Sequence, residues 1–198
     1  MRTLSLFLAL VATTTLAPTQ SLAQSAPTAP AKTAAPAPSA NPLMDFTRLN
    51  YTGGKLAVLT TAEKVPEQLY NFRPTESVRT IGQLLGHIAD AQYTFCSVAR
   101  GEKNPALYIE KSKTTKADLI AALNLAFAYC DKAFDSMTDA SGMDPVKIMG
   151  IYVPRIGTLI ANNQHISLHY GNLVTYMRIN NILPPSSDPE VMQRMMKR

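Results

Sequence analysis

The stretch TIGQLLGHIADAQYTFCSVARG, residues 80–101, carries its own start and stop signals. Thr80 followed three residues later by Gln83 matches the capping box, in which each side chain satisfies a free backbone N–H of the other residue. Gly101 closes the run, because glycine enters the left-handed conformation that ends a helix without steric cost. Between these signals Ile81, Leu84, Leu85, Ile88 and Phe95 recur at helical spacing and form one apolar arc. The segment therefore reads as a helix with one buried side. His87 falls at the edge of that arc beside Ala91 and Val98. Asp90 lies about a sixth of a turn further out, the place of a solvated charge or a local partner.

The same logic extends in both directions. From Leu43 to Lys64 the residues Leu43, Phe46, Leu49, Leu56 and Leu59 recur at helical spacings, and Pro66 ends the run. Gly53 and Gly54 weaken its middle by about 1 kcal/mol each relative to alanine. The stretch PEQLYNFRPTESVR, residues 66–79, has two prolines and no period, so it reads as a surface connection. Thr115 with Asp118 starts a third helix, continuing to about Thr138, with Leu119, Leu123, Ala126, Phe127 and Cys130 on its buried side. After the turn-rich SMTDASGMDP and the segment IYVPR, a fourth helix runs from Ile156 to Asn181, where Pro184 and Pro185 forbid continuation. A short tail helix follows Asp188. No segment shows sustained period-two alternation, so the fold class is all-α: a four-helix bundle whose longer links leave room for crossover connections.

Residues 1–23, MRTLSLFLALVATTTLAPTQSLA, have a basic start, a short apolar run and a small-residue ending, the layout of a signal peptide. Residues 24–41 are rich in alanine and proline and lack the apolar surface that would offset their ordering entropy, so they read as a disordered spacer. The bundle domain is then residues 42–198. No apolar run reaches the roughly 20 residues needed to span a bilayer, so an exported protein, periplasmic or secreted, with no stable membrane insertion is expected. Net charge is +5, and the basic residues form no concentrated stripe with stacking aromatics, which argues against nucleic acid as a partner. Cys96 and Cys130 are the only cysteines. Export permits a disulfide between them, and two small buried thiols remain the alternative.

The chain has three histidines, and two of them, His165 and His169, lie one helical turn apart in QHISLHYG. His87 on a facing helix would complete a three-imidazole face of the kind that suits zinc, nickel, iron or copper. Hydrogen-bonded interior or surface histidines are the competing reading of that spacing. On the fourth helix Asn162, His165, His169, Asn172 and Tyr176 share one stripe beside Ile166, Leu173 and Met177. A polar row bordering a core is costly unless its groups are paired, which favours a functional purpose. There is no His-Glu-x-x-His, Gly-x-Ser-x-Gly or phosphate-cradling glycine loop.

These residues carry a resemblance. VRTIGQLLGHIADAQ at 78–92 and HISLHYGNLVTYMRINNILPP at 165–185 resemble the histidine-bearing helices of the DinB-like superfamily of metal-binding four-helix bundles, including the glycine after the second histidine, the Arg178 region and the closing Pro-Pro. The resemblance covers roughly Pro42 to Pro185. It implies a divalent-metal site at His87, His165 and His169, with zinc or nickel expected before iron or manganese, and a homodimer. Family members often carry glutamine where Asn172 stands, which puts any contact of the longer amide in doubt. Relatives include proteins that transfer low-molecular-weight thiols or isomerise thiol-dependent substrates. The reading that follows is a metal-dependent hydrolase or transferase acting on a small molecule, with Tyr176 orienting or donating to the substrate and Asn172 supporting the site. Export disfavours the thiol-transfer role, because reduced thiols are scarce outside the cytosol. A metal-binding or interaction module without chemistry is the alternative, and a purely structural bundle is the third.

Overall fold

The computed structural model describes residues 38–196. The signal peptide and nearly all of the spacer expected from the sequence lie outside the described residues. Four long helices form the bundle: α1 (Pro42–Lys64), α2 (Ile81–Arg100), α4 (Lys116–Ser136) and α6 (Arg155–Ile179), with one-turn helices α3 (Ile109–Ser112) and α5 (Asp139–Gly142) between them and α7 (Pro189–Met196) at the end. α2 packs against α4 and α6, and α1 packs against the same two helices from the other side. Thus α1 and α2 occupy one diagonal of the bundle and α4 and α6 the other. The links from α1 to α2 and from α4 to α6 cross those diagonals, which is the crossover wiring that the sequence left room for.

The capping signals act as read. Thr80 Oγ1 accepts from the Gln83 N–H at 3.2 Å, Gln83 Oε1 accepts from the Thr80 N–H at 2.9 Å, and Gly101 closes α2 at φ 69°. Thr115 caps α4 through the Asp118 N–H. A cap that crosses the chain was not legible: the Asp139 carboxylate accepts from the Leu43 and Met44 N–H groups at the start of α1, at 3.0 and 2.8 Å.

Of the apolar residues that recur along α1, Leu56 and Leu59 are half-buried. Leu43, Phe46 and Leu49 are exposed, and the helix turns Met44, Thr47, Tyr51, Val58 and Thr61 inward. Each threonine tolerates burial because its hydroxyl bonds the carbonyl one turn back, Thr47 to Leu43 and Thr61 to Ala57. Tyr51 stacks on Phe134 at 3.9 Å between ring centroids. Gly54 permits close approach to α6, since a Cβ there would stand 2.8 Å from Ile166 Cγ2.

Two further differences concern connections. The stretch after α5 forms an antiparallel hairpin, β1 (Pro145–Ile148) paired with β2 (Ile151–Pro154), which the all-helical reading missed. Its strands are largely exposed, so no apolar alternation marks them, and its two-residue turn is Met149–Gly150, both at positive φ, without the Asn-Gly pair that advertises such a turn. Cys96 and Cys130 are joined in a disulfide between α2 and α4, with Cα atoms 5.3 Å apart. Among the described residues no helix is long and apolar enough to cross a membrane.

Candidate metal centre

The packing of α2 on α6 decides the site. His165 and His169 sit one turn apart on α6, and His87 meets them from α2 at ring-centroid distances of 4.9 and 4.7 Å. One nitrogen from each ring lies within 4.8 Å of the other two. His165 Nε2 and His87 Nε2 are 3.1 Å apart. Neighbouring nitrogens around a tetrahedral zinc would stand about 3.3 Å apart, given Zn–N bonds of about 2.0–2.1 Å. The spacing of this pair therefore fits one shared ion, and the third imidazole would have to move inward slightly.

The electrostatics agree with the geometry. Burial, reinforced by His169 and His87, pushes the His165 imidazole down to about 4. Burial, with His87 and Arg79 adding to it, also lowers His169, against a smaller opposing pull from Glu110. Both rings are consequently neutral near pH 7, the state in which imidazole ligates a metal. The Nδ1 atoms of His165 and His169 are buried with no hydrogen-bond partner among the described residues. On His165 that atom lies on the far side of the ring, since its Nε2 faces His87, so the fit to an ion rests on the neutral rings and the converging nitrogens. The donor set thus fits a divalent metal.

A cavity of about 450 Å³ opens beside His169, with Arg79, Gln83, Glu110, Asn172 and Tyr176 among its walls. Tyr176 is mostly buried, its ring edge-on to Phe72 at 6.1 Å, and burial raises its phenol so that the hydroxyl keeps its proton. Asn172 is exposed on the cavity wall. Asn162 does not join the site: fully buried deeper in the bundle, it donates to Gln92 Oε1 at 2.9 Å and to Cys130 Sγ at 3.5 Å. The polar row on α6 therefore divides into a core hydrogen-bond cluster at one end and the cavity at the other.

One functional group was missed altogether. Glu110, on α3, accepts at Oε2 from His87 Nδ1 at 3.0 Å and at Oε1 from Arg79 Nε at 2.8 Å. A four-residue helix has no periodicity to read, and nothing local points from Glu110 to a histidine 23 positions earlier. Asp90 was the available clue. It is neither a ligand nor simply solvated, since its two carboxylate oxygens accept from the Ile109 and Glu110 N–H groups at 2.8 and 3.0 Å.

The fold and the cluster define a helical bundle that carries three convergent imidazoles beside an open cavity. The chain belongs to the DinB superfamily, whose model matches residues 56–173. No curated protein matches it. Among solved structures, it is similar to a DinB-like protein from Bacillus cereus ATCC 10987, with a TM-score of 0.63, 14% identity, and coverage of 71% of this chain and 95% of that one. A DinB-like protein from Bacillus subtilis gives a TM-score of 0.56 at 19% identity, covering 71% and 92% of the two chains. A mycothiol-dependent maleylpyruvate isomerase gives 0.58 at 18% identity, covering 78% of this chain and 67% of that one. Identities this low speak for the fold alone.

Proposed function

We propose that this protein is an exported, metal-dependent hydrolase or transferase whose divalent ion, zinc or nickel before iron or manganese, is held by His87, His165 and His169. The observation that carries the reading is the convergence of three imidazole nitrogens at the wall of an open cavity. A bound divalent ion would supply Lewis-acid chemistry, bringing the pKa of water or a thiol towards neutrality and polarising the electrophile. The chain's own contribution is to hold a small polar substrate against that centre. The Tyr176 hydroxyl, kept protonated, donates to the substrate, Asn172 offers an amide at the cavity wall, and the terminal nitrogens of Arg79 face an acidic group. Thiol-dependent isomerisation, the activity named for one structural neighbour, would need a reduced thiol delivered to the site. The Cys96–Cys130 disulfide instead supports residence in an oxidising compartment.

The alternative, a metal-binding or interaction module without chemistry, calls for a site closed to substrate, and the cavity beside His169 favours the enzyme reading. Elemental analysis of residues 24–198, purified without a histidine tag, tests the centre against a variant carrying His165→Ala and His169→Ala. About one transition-metal ion per wild-type chain, absent from the variant, is the expected result. No metal in either protein after incubation with zinc, nickel, iron and manganese would remove the enzyme reading. Where a substrate screen finds turnover, His169→Ala should abolish it in a folded protein.

The partner proposed is a second copy of this chain. Leu43 and Phe46 on α1 and Ile160 and Leu168 on α6 are exposed along one side of the bundle, around an apolar groove of about 700 Å³. A patch running along two long helices is suited to a twofold contact in which the same face meets itself.

A further inference from the structure

We propose that Glu110 is a positioning residue for the metal centre, and that α3 is the strap that delivers it. The inference rests on the metal reading above and deepens it. A carboxylate accepts hydrogen bonds and donates none, so the 3.0 Å contact between Glu110 Oε2 and His87 Nδ1 places the ring proton on Nδ1. In a neutral imidazole the lone pair then resides on Nε2. That is the His87 nitrogen standing 3.1 Å from His165 Nε2. Glu110 thus selects the one tautomer of His87 that can ligate, and it fixes the rotation of the ring about its own axis.

Three features hold the carboxylate in place. Arg79 Nε donates to its other oxygen at 2.8 Å, so both oxygens have assigned partners and the carboxylate plane is set. Asp90, one turn of α2 beyond His87, accepts from the N–H groups of Ile109 and Glu110 itself, which ties the backbone carrying Glu110 to the helix carrying His87. Gly86, immediately before His87, lets that backbone lie against α2: a Cβ at this position would stand 2.7 Å from Glu110 Cα and 3.0 Å from its nitrogen. Backbone atoms cannot yield as a flexible side-chain tip would. A side chain at 86 would therefore push the strap, and the carboxylate with it, away from His87. The chain enters α3 through Tyr108 at φ 52°, a left-handed turn that a non-glycine residue adopts only where surrounding contacts hold it. Arg79, Gly86, Asp90 and Glu110 form one supporting assembly for a single imidazole.

The test has two readouts, neither of which needs a substrate. The first is zinc affinity, measured by competition with a chromophoric chelator for the wild type, Glu110→Gln, Glu110→Ala and Asp90→Asn. Loss of a carboxylate behind a ligating histidine is expected to weaken affinity about 10- to 100-fold, with zinc still bound at one ion per chain at saturation and the thermal midpoint of the metal-free protein little changed. The second is the tautomer of His87 in the metal-free protein, read from its ring nitrogen shifts by NMR. The wild type should show Nδ1–H, and Glu110→Ala a mixture. Gly86→Ala should also show the mixture, although alanine is the better helix former. Affinities within about twofold of wild type, or a His87 tautomer unchanged by Glu110→Ala, would overturn the proposal. If wild-type protein binds no zinc, the metal reading fails, and the NMR readout still decides whether Glu110 orders His87.

Discussion

Replacing Cys96 and Cys130 together by alanine should destabilise the bundle by about 4 kcal/mol. The bridge closes a loop of 34 residues between α2 and α4. In the chain-entropy model a loop of that length removes roughly 13 cal/mol/K from the unfolded ensemble, or about 3.8 kcal/mol at 25 °C. The Cα separation of 5.3 Å lies in the ordinary range for a bridge. Both cysteines are fully buried, and truncation to alanine leaves a small apolar vacancy that adds to the loss. For a domain of this size the thermal midpoint should fall by on the order of 10 °C. The assay is urea unfolding of residues 24–198 and of the double variant, with intact mass on each to count oxidised thiols. Because the unbridged chain is freer to expand when unfolded, the lower midpoint should come with a slope equal to or steeper than that of the wild type. A loss below about 1 kcal/mol would refute the entropy argument, and a wild-type mass showing two free thiols after export would refute the proposed compartment.

Three further outcomes are expected. His165 and His169 titrate below the ordinary 6.5 in the folded protein, His165 at about 4. As pH falls through that window the unfolded chain therefore binds protons that the folded metal-free protein refuses, so urea midpoints should drop between about pH 6.5 and 4 and be insensitive to these groups above it; an equal drop after His165→Ala and His169→Ala would contradict this. Tyr51→Phe should cost about 1–2 kcal/mol, because the hydroxyl lies 2.9 Å from both the Phe127 carbonyl and the Asp131 carboxylate while the ring stacking on Phe134 is retained; denaturant midpoints measure it. Phe46→Glu combined with Leu168→Glu should convert a dimer to a monomer by light scattering with an unchanged helical circular-dichroism spectrum, and a wild type that is already monomeric at high concentration would remove the docking proposal.

What could be read in the sequence follows the distance over which each structural cause acts. The limits of α2 were legible because Thr80, Gln83 and Gly101 act within a few residues of themselves, and its buried arc was legible because Leu84, Leu85 and Ile88 leave no competing face. On α1 the helix was legible, but its recurring leucines and phenylalanine do not mark the inward face. Leucine and phenylalanine outnumber what the helix buries, and the inward side is built from Tyr51, Thr47 and Thr61, whose hydroxyls are satisfied by backbone or by a partner on α4. Hydropathy cannot distinguish a leucine facing the core from one left on an exposed patch. On α6 the polar stripe was seen as one feature, yet Asn162 belongs to the Gln92 and Cys130 cluster and only the stretch from His165 to Tyr176 belongs to the cavity. Its division depends on what α2 and α4 present at each level.

The candidate site shows the same gradient more sharply. The three histidines could be paired from sequence because each lies on a long helix whose orientation its own neighbours determine. The group that orders one of them could not, because Glu110 reaches His87 only through a turn at Tyr108, a bare glycine at 86 and a cap from Asp90, each of which is ordinary alone. Chemistry requires both kinds of residue: ligands that converge, and a supporting contact that holds a ring in one tautomer while leaving its other nitrogen free. The first kind can be recognised by residue type and spacing. The second is defined by an acceptor's position to within a few tenths of an ångström, so it emerges only once the chain is folded. On this argument the carboxylate that would tune a metal centre lies on a short connection, and the strap at 106–112 is where substitutions should alter metal affinity without altering the bundle.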